Sequence, residues 1–238
     1  MSGEAPALSA IVLCYRAGES IKTVIEPLHA LLETAGMTYE LVLVANYWPQ
    51  HHDTTPEIAR RFAATHRHTV VLDREKAGGM GWDMRSGLKA ARGSTLVIID
   101  GDAQNPVHDV LRMYRFLRET GADLGKGRRT NRGDGVYRWF ISAGFNAIFC
   151  LLFRTWPLWD VNGKPKGLTR AAYERMNLVS SDWFVDAEMV LQARRHRMKI
   201  VELPVTFLEN KARSSFVRVS AIWEFLVHMA RYATRGRP

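Results

Sequence analysis

The order of apolar runs along the chain constrains its fold more than any other feature. Leu8-Ser9-Ala10-Ile11-Val12-Leu13-Cys14, Leu41-Val42-Leu43-Val44, Thr69-Val70-Val71-Leu72 and Thr95-Leu96-Val97-Ile98-Ile99 are short and rich in aliphatic, largely β-branched residues. Between them the apolar positions take helical spacing: Ile21, Val24, Ile25, Leu28, Leu31 and Leu32, then a segment opened by Asp53 and Pro56, then Trp82 to Arg92. Strands that alternate with helices and are apolar throughout belong to a parallel sheet covered on both faces. The sequence therefore predicts an α/β fold with a Rossmann-like, mostly parallel sheet. In a chain of 238 residues one large unit suffices, taken here as residues 1–212, followed by a separate C-terminal segment over 213–238.

The fourth run leads into Asp100-Gly101-Asp102-Ala103-Gln104-Asn105-Pro106, where Asn105 is placed to cap and Pro106 to start a helix reaching about Thr120. A loop at the carboxyl end of a strand is where open α/β sheets bind ligands. Two carboxylates one residue apart repel unless they share a cation, and magnesium or manganese suits such oxygen donors. The Gln104 amide oxygen and substrate phosphates would complete the set. As a bare string, Asp-Gly-Asp is equally a polar turn after a strand.

The second half predicts an apolar helix from Val136 to Phe153, a Lys/Pro loop, a helix from about Trp183 to Arg197 and a strand over Ile200 to Phe207, with Arg128 to Gly135 as a loop. Asp182, Asp186 and Glu188 invite a general-base reading, although acidic residues at a helix start are favoured by its dipole in any case. Near the end Ile222, Phe225, Leu226, Met229 and Tyr232 share one helical face between Arg213 and Arg218 before and Arg231, Arg235 and Arg237 after. This amphipathic pattern suits a helix lying in a membrane interface, or one docked on its own domain. No stretch reaches the roughly 20 apolar residues of a spanning helix, and the N-terminus lacks the pattern of a secretory signal. Cys14 and Cys150 lie in apolar runs, as free thiols do in a reducing, cytoplasmic compartment. The formal charge of +9 calls for an anionic partner: nucleic acid, acidic lipid or a phosphorylated substrate. The chain carries no recognisable nucleic-acid motif.

The segment from Ile98 to Pro106 resembles the strand, DxD and Gln-x-Pro motif of family 2 glycosyltransferases, particularly the dolichol-phosphate mannosyltransferase group and its bacterial polyprenyl-phosphate relatives. Gly87 to Gly93, Gly127-Arg128 with Arg138 to Asn146, Asp160 to Lys166, and Phe184 to Glu188 with Val201 to Val205 are similar to further segments of that family. The resemblance implies a GT-A fold in which Asp100, Asp102 and Gln104 hold Mg2+ or Mn2+ and the donor diphosphate. Tyr15 and Asn46 would meet the donor nucleotide, and Arg128 and Arg138 would face the acceptor phosphate or the leaving diphosphate, a task suited to the planar guanidinium fork. Lys164 and Lys166 would lie near the acceptor, and Arg213, Ser214 and Ser215 would form a further phosphate contact.

The activity so implied is metal-dependent, inverting transfer of a hexose from a UDP- or GDP-linked sugar to a polyprenyl phosphate. It would take place at the cytoplasmic face of a membrane, with the protein bound peripherally and with room for an integral-membrane partner. Two alternatives stand beside it: a hydroxyl acceptor with Asp186 or Glu188 as base, and a non-catalytic module that binds anionic surfaces. The chain departs from the family where Pro-x-Tyr-Asn-Glu and Asp-Asp-Gly-Ser are replaced by Leu13 to Ala17 and Ala45 to Trp48, keeping Tyr15. The nucleotide is therefore not assigned. The Lys76-Ala77-Gly78-Gly79-Met80-Gly81 stretch matches neither a dinucleotide fingerprint nor a P-loop.

Overall fold

The structure, a computed structural model, describes residues 5–132, 136–208, 227–232 and 234. Strands β1 (Leu8–Leu13), β2 (Tyr39–Val44), β3 (Thr69–Leu72) and β4 (Thr95–Asp100) run parallel, as the apolar runs predict. Three more strands, β5 (Leu124–Arg132), β6 (Lys166–Thr169) and β7 (Ile200–Phe207), extend the sheet to the order β3-β2-β1-β4-β6-β5-β7. The β6 strand is antiparallel to both β4 and β5, while β5 and β7 are parallel, so the sheet is mixed.

Alternation along β1 shows how both faces are filled. Leu8, Ala10 and Val12 pack with α1 (Lys22–Glu33), α2 (Thr55–Thr65) and α4 (His108–Thr120). Ile11 and Leu13 pack with α3 (Met80–Ala90), α5 (Val136–Phe153) and α7 (Val185–Arg195) on the other face. Burial of each such aliphatic side chain contributes about 1.5–3 kcal/mol, so the double coverage fixes the layer order. A short helix, α6 (Arg170–Glu174), follows β6. Leu13 pairs with both Val44 and Asp100, which brings the carboxyl ends of β1, β2 and β4 level. Tyr15, Asn46 and Asp102 therefore emerge at one edge.

Three expectations change. The loop predicted from Arg128 is β-strand as far as Arg132, because β5 gains partners in β6 and β7 that its Gly-Lys-Gly-Arg-Arg sequence does not advertise. Asn105 is not a cap: α4 begins at His108 without a side-chain cap, and the Asn105 amide instead donates to the Lys164 carbonyl at 2.9 Å. At the C-terminus the interface helix predicted over 213–238 falls largely outside the described residues. The part described, 227–232, turns Met229 and Tyr232 into the core, with Tyr232 6.1 Å from Phe153 and 6.0 Å from Phe184. That part takes the docked alternative. Among the described residues no helix is long and apolar enough to cross a membrane.

Candidate active site

Asp100 ends β4 and Asp102 follows in the turn, held by the local backbone. Gly101 donates to the Leu13 carbonyl at 2.9 Å, and a Cβ there would meet that oxygen at 2.8 Å, so only glycine lets the turn cross so close to β1. Asp102 Oδ1 accepts from the Gln104 amide nitrogen of the backbone at 3.1 Å. The Gln104 side chain donates through Nε2 to the Leu208 carbonyl at 3.1 Å, which ties the end of β7 to this loop. Asp100, Asp102 and Gln104 are thus neighbours on one partly exposed loop.

Opposite Asp100 stands a buried cluster. Lys164 Nζ lies 3.6 Å from Asp100 Oδ1 and 3.0 Å from Asp186 Oδ2, and Lys166 Nζ lies 2.5 Å from Asp186 Oδ1 and 2.8 Å from the Val161 carbonyl. Lys166 comes from β6, Lys164 from the loop before it, and Asp186 from the first turn of α7. Their approach depends on glycine. Gly163 packs where a Cβ would come within 2.0 Å of the Gly127 oxygen, and Gly127 packs where one would come within 2.3 Å of the Lys164 oxygen. β5 and the 160–165 loop can lie this close only without those side chains.

Charge decides the protonation states. Burial opposes ionisation of Asp186, but the two ammonium groups outweigh it and hold its carboxyl below the ordinary value. Burial works against the charge of Lys164 too, yet Asp100 and Asp186 raise it. Lys166, which shares Asp186 with Lys164, is brought down to about 8 chiefly by burial. Burial pushes Asp100 up to about 6, with Lys164 pulling it back and Asp102 and Asp186 adding to the rise. Asp100, Asp102 and Asp186 face Lys164 and Lys166, so one negative charge remains uncompensated. That excess, on hard oxygen donors, fits a divalent cation held by Asp100 and Asp102. Among the described residues no group of three or more His, Cys, Asp or Glu forms a closed metal cage, so further donors would come from a ligand.

The other expected residues are placed as follows. Arg128 is exposed on β5. Glu188 is fully buried and accepts from the backbone nitrogens of Val179 at 3.0 Å and Ser180 at 2.9 Å and from Gln192 at 3.0 Å. It anchors the 177–184 loop, and the base role expected for it does not fit that bonding. The side chain of Arg138 and all of Arg213, Ser214 and Ser215 lie outside what the structure describes.

Asn46 enters a network that the sequence does not reveal. Its Nδ2 donates to Asp83 at 3.0 Å, and its Oδ1 accepts from the Arg74 backbone at 3.0 Å. Asp83 pairs with Lys76, whose ammonium stands 4.2 Å from the centre of the Tyr15 ring. Tyr15 and Asn46, both expected at the nucleotide, are therefore brought together by Lys76 and Asp83. A carboxylate on the buried face of α3, beside Met84 and Leu88, was the available signal for Asp83. A second missed cluster joins Lys126 to Glu202 and the Trp159 carbonyl. Beside it Arg129 grips Asp160 through Nε at 2.8 Å and its backbone nitrogen at 2.9 Å.

Known structures of the same architecture carry metal and nucleotide. Glucosyl-3-phosphoglycerate synthase from Mycobacterium tuberculosis, in complex with Mn2+, UDP and phosphoglyceric acid, matches 96% of this chain and 76% of its own with a TM-score of 0.69 at 17% identity. Mannosyl-3-phosphoglycerate synthase from Rubrobacter xylanophilus matches 98% and 76%, also with a TM-score of 0.69 and 17% identity. At that identity the likeness concerns the fold, and it bears out the GT-A type. Among curated proteins, the dolichol-phosphate mannosyltransferase of Pyrococcus furiosus is 25% identical over 232 residues, 94% of this chain and 63% of the relative. The dodecaprenyl-phosphate galacturonate synthase of Rhizobium johnstonii is 28% identical over 131 residues, 55% of this chain and 38% of the relative. The chain thus spans less than two thirds of the length of these curated relatives. Residues 9–177, which include the whole Asp100 to Gln104 turn, match the family described as Glycosyl transferase family 2, and the chain belongs to that family.

Proposed function

We propose that the chain transfers a hexose from a UDP- or GDP-linked sugar to a polyprenyl phosphate at a membrane surface, with inversion at the anomeric carbon. The observation that carries this reading is the buried ammonium of Lys164 beside Asp100, two residues before Asp102, at the end of β4. The names of the relatives, which specify dolichol, dodecaprenyl and undecaprenyl phosphates, support the acceptor class. A lipid-held acceptor and the formal charge of +9 support peripheral binding at the cytoplasmic face of a membrane.

Asp100 and Asp102 are the residues that would hold Mg2+ or Mn2+, whose positive charge would offset that of the donor diphosphate. Lys164, the nearest buried cation, would stabilise negative charge as the bond between the anomeric carbon and the diphosphate breaks. The acceptor phosphate oxygen forms the new bond on the opposite face of the sugar, and the nucleoside diphosphate leaves. A phosphate monoester with a second pKa of about 6 needs no base to attack at neutral pH. Asp186 stays ionised but tied to two lysines, and its work in this scheme is to hold them. Tyr15 and Asn46, supported by Lys76 and Asp83, would line the donor nucleotide.

A hydroxyl acceptor is the second reading, supported by the phosphoglyceric acid named in a structural neighbour. It would need a base, and the lowered carboxyl of Asp186 is poorly suited to take a proton. Transfer of labelled sugar into organic-extractable lipid, screened with UDP- and GDP-sugars, manganese and polyprenyl phosphate, separates the two. Metal-dependent lipid label absent from Asp102→Ala supports the first reading. Metal-dependent donor turnover without lipid label supports the second.

A further inference from the structure

Helix α5 is apolar on two faces, and the described protein covers one of them. Asn146, Phe149 and Cys150 point inward: the Asn146 side chain accepts from Val161 N at 2.9 Å, Phe149 is fully buried, and the Cys150 thiol donates to the Leu158 carbonyl at 3.0 Å. On the other side Ile148 is 51% exposed, Leu151 84%, Leu152 47% and, just past the helix end, Trp156 72%. Helical spacing puts Ile148, Leu151 and Leu152 on one stripe. A helix apolar all round belongs in a core or in lipid, and α5 is half out of the core.

Charge identifies what covers the outer face. Residues 136–159 contain no Asp or Glu. The rim is basic: Arg154, Arg194 and Arg195 are exposed, and Arg194 donates to the Arg154 carbonyl at 2.8 Å, which places the last turn of α7 beside the end of α5. A second copy of this chain is the poorer occupant, because an isologous contact through this face would bring two arginine rims together. Exposed leucine and isoleucine flanked by tryptophan and arginine match the boundary between acyl chains and anionic headgroups, where tryptophan partitions and arginine reaches phosphate.

We propose that the outer face of α5, with Trp156 at its edge, is a membrane-docking surface that inserts shallowly into an anionic bilayer. It adds a contact other than the C-terminal stripe, whose described end is turned into the core. The inference shares with the proposed function the need for a membrane, and its test uses no sugar transfer. Flotation of the whole chain is measured with vesicles of phosphatidylglycerol and phosphatidylcholine, and with phosphatidylcholine alone. Wild type is expected to float with the anionic vesicles, and Leu151→Glu/Trp156→Glu to lose at least about tenfold in affinity, a change of about 1.4 kcal/mol. Arg154→Gln/Arg194→Gln should weaken binding and flatten its salt dependence. Both sets lie at exposed positions, and far-ultraviolet circular dichroism verifies that they fold.

Unchanged flotation of Leu151→Glu/Trp156→Glu, or no flotation of wild type, overturns the proposal. So does a concentration-dependent dimer, seen by light scattering, that the same pair of substitutions abolishes. Transfer to polyprenyl phosphate in detergent, where docking is bypassed, reports separately on the proposed function. Its absence in wild type removes that reading and leaves the vesicle result standing.

Discussion

Lys164 places its ammonium 3.6 Å from Asp100 and 3.0 Å from Asp186, so one buried cation joins the end of β4 to the start of α7. Lys164→Met is expected to lower stability by about 3 kcal/mol, since it leaves Asp100 without its nearest cation and buried Asp186 with Lys166 alone. Denaturant titration measures this. Any activity should fall in the same variant. A stability equal to wild type would mean that the cluster is solvated.

Asp102 is partly exposed, and its contact with the Gln104 backbone is local. Asp102→Ala should therefore change stability by less than about 1 kcal/mol yet abolish manganese-dependent binding of nucleoside diphosphate. Calorimetric titration with and without the metal tests the pair of outcomes. Retained metal-dependent binding would remove Asp102 from the cation site.

Two glycines should respond with opposite signs to the same methyl group. Gly163→Ala drives a Cβ to 2.0 Å from the Gly127 oxygen and should cost more than about 2 kcal/mol or prevent folding. Gly144, exposed on α5 with nothing within 4 Å of its Cβ position, should gain about 0.5–1 kcal/mol as alanine. Thermal midpoints of the two variants decide it.

The Arg129 and Asp160 pair gives a pH dependence of definite sign. Burial disfavours ionised Asp160, but Arg129 outweighs it and keeps the carboxyl below its ordinary 3.8. The native state therefore binds fewer protons than the unfolded chain as pH falls past that value. Stability from the pair is present above about pH 4 and is lost as pH drops through the lowered native value. Asp160→Asn should be less stable than wild type at neutral pH, and the gap should narrow below about pH 3.8. A gap constant with pH would show that Arg129 does not hold the ionised form.

Glu188 separates a structural from a chemical carboxylate. Glu188→Gln keeps one acceptor and turns an amide toward the Val179 and Ser180 nitrogens, so stability should fall by about 1–3 kcal/mol. Once folded, the variant should keep its pH profile of turnover. A shifted basic or acidic limb would return Glu188 to the chemistry.

The sequence alone determined the parallel half of the sheet and the position of the Asp100-Gly101-Asp102 turn. Contiguous aliphatic runs such as Leu96 to Ile99 have one low-energy destination, a strand buried on both faces, and the polar turn that ends the run has to lie at the sheet edge. Helices α5 and α7 and strand β7 also lie where the sequence places them, whereas tertiary structure decided β5, β6 and the buried charge pairs. β5 and β6 carry glycine and lysine where strands usually carry β-branched residues, and they become strands because β4 and β7 offer them hydrogen bonds. The pairing of Lys164 and Lys166 with Asp186 and of Arg129 with Asp160 joins residues 20 or more apart in the chain. No local spacing encodes such pairs, because what selects them is the cost of leaving a buried charge alone once the fold has closed around it.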